Sequence, residues 1–415
     1  MTIYQTITTS YSSLMKQKMR SALTILAVAV GIGIVIIVLS SGAGLEAFVM
    51  KQMESFGTDL IEVEIKVPAT KQASVANAAG QAMGISITTL KLEDMEEIDK
   101  LPNVKGTYGM VTGQELVSYK NERKTIMLIG ASFNTPDIDK GTKLFEGSFF
   151  TKEDENSLAQ VAVLGPKVKD KLFGNDDPIG QFIKIKRKNF RVLGVLEERG
   201  AMMGFDWDNL IYVPLKTLQK KIMGIDHIMA LFAQVEDMSL IDFTKEDMIL
   251  TMREQHNIDD PSRDDFAVMT MVEAMEMLEK VFGGITLLLV ALAFISLVVG
   301  GVGIMNIMYV SVSERTYEIG LRKAIGAKSI DILKQFLFES VILTFLGGVL
   351  GICGGMLITF LVTVLAGLNG MEFPFIVSIN SFIIGIGFSV LLGLFFGIYP
   401  SRKASRLDPI VALNR

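Results

Sequence analysis

Four long stretches of this chain contain no Asp, Glu, Lys or Arg. They lie between Arg20 and Glu46, Lys280 and Glu314, Glu339 and Glu372, and Glu372 and Arg402. A helix needs about 20 mainly apolar residues to cross the hydrocarbon core of a bilayer, and each stretch is long enough. Because a segment in hydrocarbon must satisfy its own backbone hydrogen bonds, each stretch predicts a transmembrane helix. The predicted spans are residues 21–41, 282–310, 334–366 and 380–400.

Basic residues near the spans indicate their orientation. They lie before the first span, between the second and third, and after the fourth: Lys16, Lys18, Arg20, Arg315, Arg322, Lys323, Lys328, Lys334, Arg402, Lys403, Arg406 and Arg415. The loop 367–379 contains neither Lys nor Arg. By the positive-inside rule, both termini, the connection 311–333 and the tail 401–415 lie in the cytoplasm. The insert 42–281 and the loop 367–379 are therefore expected outside an inner or plasma membrane.

The N-terminal region, which begins with residues 1–20, has three interpretations. Ile3, Ile7 and Tyr11 recur at helical spacing before a basic segment, which is typical of an amphipathic helix on the cytoplasmic membrane surface. An ordinary extension of the first span fits the same residues. A cleaved signal peptide fits less well, because the apolar run Ala22–Leu39 exceeds the roughly 7 to 15 residues of a signal core.

The insert 42–281 predicts a mixed α+β domain. Helical patterns cover Leu45–Phe56, Leu92–Leu101, Lys245–His256 and Met271–Phe282, and strand patterns cover Leu60–Val67, Leu116–Tyr119, Ile126–Ile129, Val161–Leu164, Ile183–Lys186, Phe190–Leu196, Leu210–Val213 and Ile228–Val235. The segment Pro68–Thr89 is rich in Ala, Gly, Ser and Gln and predicts a mobile loop. The simplest architecture is a membrane-proximal α/β subdomain with an inserted β-rich subdomain at about 112–222. Because the only cysteine, Cys353, lies in the third span, the domain depends on a packed core rather than on disulfides.

Composition and motifs exclude several classes of function. A formal net charge of -5 gives no general basic field for nucleic acid. The sequence contains neither H-E-x-x-H nor G-x-S-x-G, and its only histidines are His227 and His256, which argues against a zinc protease or a serine hydrolase. The segment Gly320–Ser329 has the wrong spacing for a phosphate-binding loop. We expect Gly326 to end a short helix and Ser329 to cap the next one.

Three other groups of residues have both a structural and a functional interpretation. Lys184, Lys186, Arg187, Lys188 and Arg191 predict a solvated strand face rather than an anion site, and Met269, Met271, Met275 and Met277 predict core packing rather than copper ligands. Met202, Met203, Phe205 and Trp207 lie among glycines between two strands, where a turn exposes apolar side chains. They predict a contact with cargo or a partner. The alternative is that this loop packs against its own domain.

Glycines recur at four-residue spacing in the third and fourth spans. They are Gly347, Gly351, Gly355, Gly393 and Gly397. This spacing predicts close packing between helices. The centres of the spans contain no ionisable residue, whereas ion- and proton-coupled transporters usually need one there. Energy for any transport must therefore come from another source.

The cytoplasmic connection 311–333 predicts a short docking helix. Ser311 and Glu314 have the spacing of a capping box, and Glu318 and Arg322 form a favourable i,i+4 pair. We therefore expect a helix over Ser313–Ile325. A short charged helix at the cytoplasmic surface is suited to docking a soluble partner.

Three segments in the C-terminal half have a distinctive sequence. They are ISLVVGGVGIMNIM from Ile295, SVSERTYEIGLRKAIGA from Ser311 and YPSRKASRLDPIVAL from Tyr399. These segments closely resemble the macrolide-exporter (MacB) and FtsX-like permease family of ABC transporters. Further segments are similar to the extracytoplasmic core domain of that family: Ser55–Ile61, Gly147–Asp154, Val161–Val168, Asp177–Gln181, Val192–Leu196 and Tyr212–Leu215.

The resemblance implies a homodimeric or heterodimeric permease with four spans per subunit, driven by two copies of an ABC ATPase that bind ATP and Mg. It implies no cofactor on this chain. The residues that would couple the ATPase to motion of the outside domain are Glu314, Arg315, Glu318, Arg322 and Lys323. Because the sequence starts at the permease and has no Walker A motif, we expect the ATPase on a separate chain and no enzyme activity here.

Two functions follow from the resemblance. The first is export or extrusion of peptides, lipoproteins, antibiotics or other amphipathic molecules by mechanotransmission, without passage of cargo through a membrane pore. A membrane-fusion adaptor or another extracytoplasmic protein would be a further partner. The alternative is a signalling permease of the FtsX type, which activates an extracytoplasmic hydrolase or a sensor kinase without transport.

Overall fold

The computed structural model describes residues 18–54, 56–66, 88–202, 205–368, 373–377 and 379–413. The chain divides into two compact units, one made of the segments up to Phe48 and Glu279–Arg415, the other of Val49–Leu278. Residues 1–17 of the predicted amphipathic helix and 68–87 of the predicted mobile loop lie outside the described residues.

Four long apolar helices are present among the described residues, as the uncharged stretches predict. The first to fourth long helices are Lys18–Glu54, Met271–Glu314, Ser329–Leu368 and Ile379–Ser405. Each is long and apolar enough to cross a membrane, which confirms the prediction of four spanning helices. The first and second long helices run well beyond the predicted spans. The first also includes the helical pattern at 45–54, and the second starts with the helical pattern at Met271. Two further helices, the short helix Thr316–Ala324 and the terminal helix Pro409–Leu413, belong to the same unit.

The second unit is built on a mixed sheet. In chain order the described strands are β1 Leu60–Ile65, β2 Val104–Tyr119, β3 Glu122–Ala131, β4 Leu144–Gly147, β5 Val161–Leu164, β6 Phe182–Ile185, β7 Lys188–Leu196, β8 Ala201–Met202, β9 Phe205–Asp206, β10 Leu210–Pro214, β11 Ala230–Val235 and β12 Phe266–Thr270. The order in the sheet is β12-β1-β11-β2-β3-β10-β5-β7-β4, with β6 paired to β2 and β7, and β8 pairs with β9 separately. Within the sheet, the pairs β3–β10 and β5–β7 are parallel and the others are antiparallel.

Strand β2 spans both parts of the insert. Its first half pairs with β11, and its second half pairs with β3 in a hairpin. The sheet is therefore continuous across residue 112, where the inserted subdomain was expected to begin. The boundary of that subdomain stays a prediction.

The helices of the second unit pack on this sheet. The described helices are Leu92–Ile98, Thr135–Ile138, Lys152–Asn156, Pro166–Phe173, Leu215–Thr217, the π-helix Leu218–Met223, the 3₁₀ turns Met238–Leu240 and Pro261–Arg263, and Ile241–His256. Leu128 and Ile129 are consecutive in β3 but belong to different apolar clusters. Since successive strand residues point to opposite faces, the core has a layer on each side of the sheet. Met271 is buried beside Leu60 and Tyr108, which supports the core-packing interpretation of the methionines.

Candidate coupling site

The short helix begins where the second long helix ends. Arg315 separates the two helices and makes no side-chain cap. The predicted capping box is wrong, because Ser311 is buried within the second long helix rather than placed at a helix start. Instead, Thr316 Oγ1 donates a hydrogen bond to the carbonyl of Ser313 at 2.8 Å. This bond satisfies one of the carbonyls that a helix leaves without an internal partner at its C-terminal end.

Two of the predicted coupling cations bind the third long helix. Arg315 Nη1 lies 3.2 Å from Glu339 Oε2, and the two side chains are only 13% and 4% exposed. Arg322 Nη1 donates to Gln335 Oε1 at 2.6 Å, and its second terminal nitrogen donates to Glu318, as the i,i+4 spacing predicts. These contacts fix the short helix to the bundle.

The third predicted cation and a glycine connect the short helix to the C-terminal segment. Lys323 Nζ donates to the carbonyls of Ser405 and Leu407, both at 2.7 Å. A Cβ on Gly320 would lie 2.7 Å from Ala412 Cβ, so the short helix and the terminal helix are in close contact. The described cations of the site therefore position the helix rather than project from it.

The opposite face of the short helix is apolar and exposed. Tyr317, Leu321 and Ile325 recur at four-residue spacing and are 59%, 47% and 80% exposed. We call these three residues the apolar patch. Ile410 and Val411 of the packed terminal helix are also exposed. The four-residue spacing of these three residues is present in the sequence, but the charged residues of the same segment alone do not indicate which face is exposed.

The two glutamates of the predicted site are exposed beside the patch. Glu314 ends the second long helix, and the side chain of Glu318 is 52% exposed while paired with Arg322. The structure thus brings the predicted coupling residues to one end of the bundle. Their role in coupling stays a prediction.

The predicted packing glycines lie at contacts between long helices. They are Gly347, Gly351 and Gly355 against the first long helix, and Gly393 and Gly397 against the third. A Cβ on Gly351 would lie 2.5 Å from the carbonyl oxygen of Ala29. Gly354, in contrast, has nothing within 4 Å of that position. The five predicted glycines therefore require the absence of a side chain, whereas Gly354 does not.

In the second unit, Trp207 packs against its own domain. Its ring lies 5.5 Å from the ring of Phe56, and the guanidinium of Arg199 lies 3.9 Å from Phe56 and 4.6 Å from Trp207. Arg199 also donates two hydrogen bonds to the buried Asp139, at 2.8 and 3.1 Å. Met203 lies outside the described residues. The contact role of Met202, Met203, Phe205 and Trp207 stays a prediction, and the packing of Trp207 on Phe56 and Arg199 favours the alternative for that residue.

Two family models match this chain. Residues 21–248 match the MacB-like periplasmic core domain, and residues 290–409 match the FtsX-like permease C-terminal domain. The chain belongs to the MacB/FtsX-like family of ABC transporter permeases. This MacB/FtsX-like permease is a membrane protein with an extracytoplasmic domain.

Curated relatives of the permease carry export names. The macrolide export ATP-binding/permease protein MacB of Bdellovibrio bacteriovorus is 36% identical over 97% of this chain and 60% of its own length. The pyoverdine export ATP-binding/permease protein PvdT of Pseudomonas savastanoi pv. phaseolicola is 33% identical over 96% of this chain and 57% of its own length. The chain therefore spans about three fifths of the relatives it matches.

Among solved structures, the periplasmic region of MacB from Actinobacillus actinomycetemcomitans is similar with 20% identity and a TM-score of 0.46. The match covers 56% of this chain and 97% of that one.

Proposed function

We propose that this permease exports amphipathic cargo by using ATP hydrolysis on an ABC ATPase that docks at the apolar patch. The observation that carries the proposal is the patch itself, an exposed apolar row on a helix whose other contacts fix it to the bundle. Exposed apolar rows of this kind mark interaction sites. ATP and Mg would bind the ATPase, and a permease dimer would carry two ATPase copies. The export names of the relatives support this assignment.

The second long helix is the continuous segment along which such coupling would run. It is continuous over 44 residues from the end of β12 to the short helix. At 1.5 Å per residue it is about 66 Å long. We propose that a displacement of the short helix is transmitted along this helix.

The start of this helix is fastened to the second unit. Glu273 N donates to Thr270 Oγ1 at 3.1 Å, and Thr270 N donates to Glu273 Oε2 at 3.0 Å, which is a reciprocal capping box. Lys245 Nζ binds the same carboxylate at 2.5 and 2.7 Å. Force on the helix would therefore reach helix Ile241–His256 as well as β12.

The end of the first long helix is fastened by a different contact. Phe56 follows that helix and lies under the Arg199 guanidinium, which Asp139 orients. A cation on an aromatic face contributes about 0.5 to 2 kcal/mol, depending on desolvation. We infer that this contact transmits motion of the first helix to the domain.

The relatives' names leave the cargo open, since one is a macrolide exporter and another a pyoverdine exporter. Peptides, lipoproteins, antibiotics and other amphipathic molecules are the proposed class. We propose that both termini and the short helix lie in the cytoplasm and the second unit outside, which the distribution of basic residues supports. In this arrangement cargo is moved by the outside domain without crossing the bundle.

The test replaces the patch and keeps the contacts that position it. The double variant Leu321→Glu, Ile325→Glu should weaken co-purification with the cognate ATPase about tenfold or more and abolish cargo-stimulated ATP hydrolysis. Thermal stability should not change, because both side chains are exposed. Charge reversal of Glu314 and Glu318 is expected to weaken the same complex.

The matched control makes the same chemical change on another exposed helix face. Phe243 and Leu250 are 68% and 62% exposed on helix Ile241–His256, and Phe243→Glu, Leu250→Glu should leave the ATPase complex intact. An intact complex in the patch variant would overturn the docking site. Stimulation of ATP hydrolysis by a protein partner but by no cargo would replace export with the signalling function.

A further inference from the structure

Among the described residues of the second unit, one face of the sheet is exposed where β2, β3, β6 and β7 meet. The register places Ser118 opposite both Arg123 and Lys184, so these residues form one row across three strands. Phe182 comes two residues before Lys184 in β6 and lies opposite Arg191. Leu116 follows on the same face of β2, because strand residues alternate between faces. We call Leu116, Arg123, Phe182, Lys184 and Arg191 the platform.

The burial of these strands supports the register. In β6, Ile183 and Ile185 are fully buried while Phe182 and Lys184 are exposed. Phe182 is 58% and Leu116 is 54% exposed, and both lie beside cations rather than over an apolar cluster. The opposite face of these strands belongs to the main core, which includes Leu172 of helix Pro166–Phe173. Within the part of the chain that the structure describes, the platform is therefore the exposed side of strands whose other side is buried.

The charges of the platform have one sign. Arg123, Lys184 and Arg191 make no ion pair or side-chain hydrogen bond among the described residues, and the platform contains no acidic residue. The neighbouring Lys186 is different, because Glu115 and the carbonyl of Ile222 hold its ammonium group. Three cations with no ion pair or side-chain hydrogen bond among the described residues therefore surround two exposed apolar side chains.

The dimensions fit a single helix or a short amphipathic segment. Strands lie about 4.8 Å apart, so the four strands span about 14 Å, and rows two residues apart are separated by about 7 Å. An α-helix with its side chains is about 10 to 12 Å wide. A helix with an apolar row flanked by carboxylates would cover the apolar side chains and pair with the cations.

We propose that the platform docks an acidic amphipathic segment of an extracytoplasmic protein partner. A lipid surface is a poorer match. Membrane-surface elements present one continuous apolar face with cations at its rim, whereas here cations and apolar side chains alternate over a flat sheet. This inference goes beyond the proposed coupling at the short helix and does not depend on it. It also assigns a role to part of the basic cluster that the sequence suggested was only a solvated strand face.

The experiment uses the full chain in phosphatidylcholine nanodiscs and fluorescent synthetic helices as probes. The helices carry leucines on one face and glutamate, glutamine or lysine on the other. We expect the glutamate helix to bind, and Arg123→Glu, Lys184→Glu, Arg191→Glu to weaken its affinity about tenfold or more. Leu116→Ser, Phe182→Ser should also weaken it, and the glutamine helix should bind less tightly.

A matched control carries the same change in net charge elsewhere in the domain. Lys105, Lys143 and Lys220 are exposed, and reversing all three should leave the affinity unchanged. Thermal melting checks that both triple variants are folded. Equal weakening by both triple variants, or no binding of the glutamate helix, would overturn the proposal. A second set of results would also overturn it: the unmodified chain co-floats with phosphatidylglycerol vesicles, the platform variant does not, and the platform variant still binds the glutamate helix. Those results would assign the cations to lipid.

Discussion

His256 should make the stability of the second unit depend on pH. Its Nδ1 lies 2.8 Å from Asp265 Oδ1 and its Nε2 lies 3.3 Å from Asp94 Oδ2, and the His256 side chain is only 7% exposed. Hydrogen bonds to Asp265 and then to Asp94 raise the pKa of His256 from 6.5 to about 9. The protonated imidazole therefore joins helix Leu92–Ile98, helix Ile241–His256 and the residue before β12.

The sign and size of this pH dependence follow from the difference between the pKa of His256 in the folded and unfolded states. The folded state holds this proton more tightly than the unfolded state, so the stabilisation is complete below pH 6.5 and is lost as pH rises through about 9. Each pKa unit corresponds to about 1.4 kcal/mol, which gives about 3 kcal/mol for this group. The loss should be measurable, because single domains are typically stable by only about 5 to 15 kcal/mol.

The chain carries its own probe for this measurement. Trp207 is the only tryptophan, and it packs within the second unit against Phe56. Its fluorescence during denaturant unfolding should show a fall of about 3 kcal/mol in the free energy of unfolding between about pH 6.5 and 9.5. In His256→Gln most of this fall should disappear. An identical pH dependence in both proteins would refute the reasoning, because another group would then carry it.

Three further outcomes are expected. Gly351→Ala should destabilise the helix bundle by about 1 to 3 kcal/mol through overpacking, whereas Gly354→Ala should be nearly neutral; melting temperatures in detergent compare the two, and equal effects would contradict the close packing of Gly351 on the first long helix. Arg199→Gln should destabilise the second unit by about 3 kcal/mol or more by leaving Asp139 buried without its cation, and adding Asp139→Asn should restore part of that loss in a double-mutant cycle. Met203→Ser, Phe205→Ser should impair cargo-stimulated activity without changing stability, whereas Trp207→Ser should lower stability; a stability loss in the first variant would make the whole loop structural.

The sequence predicted the membrane part of the fold well, because the physics that sets it is local. A span needs only an uncharged apolar run, so each long helix could be predicted from its own segment of the sequence. The resemblance carried by the segments from Ile295, Ser311 and Tyr399 then indicated the family. The start of β2 was missed, because Gly106, Gly109 and Gly113 weaken its strand pattern. The parallel pairing of β3 with β10 joins residues far apart in the chain, and no local pattern encodes it.

In the candidate site, too, the features that depend on distant residues could not be predicted from the local sequence. The segment that forms the short helix was located correctly, and the Glu318–Arg322 pair was confirmed. Which face points outward was not predicted, since that depends on packing partners outside the segment. Ile319 turns inward and Leu321 turns outward, although the two are nearly equivalent by composition. Similarly, Ser311 has the chemistry of a cap, but the long helix continues past it.

The three cations of the short helix distribute any load placed on it. The second long helix leads directly into the short helix, Arg315 and Arg322 bind side chains of the third, and Lys323 binds carbonyls at the end of the fourth. A partner that pulls at one point would therefore strain three helices in parallel rather than one in series. If a partner docks here, loss of a single contact would leave the remaining attachments to share the load.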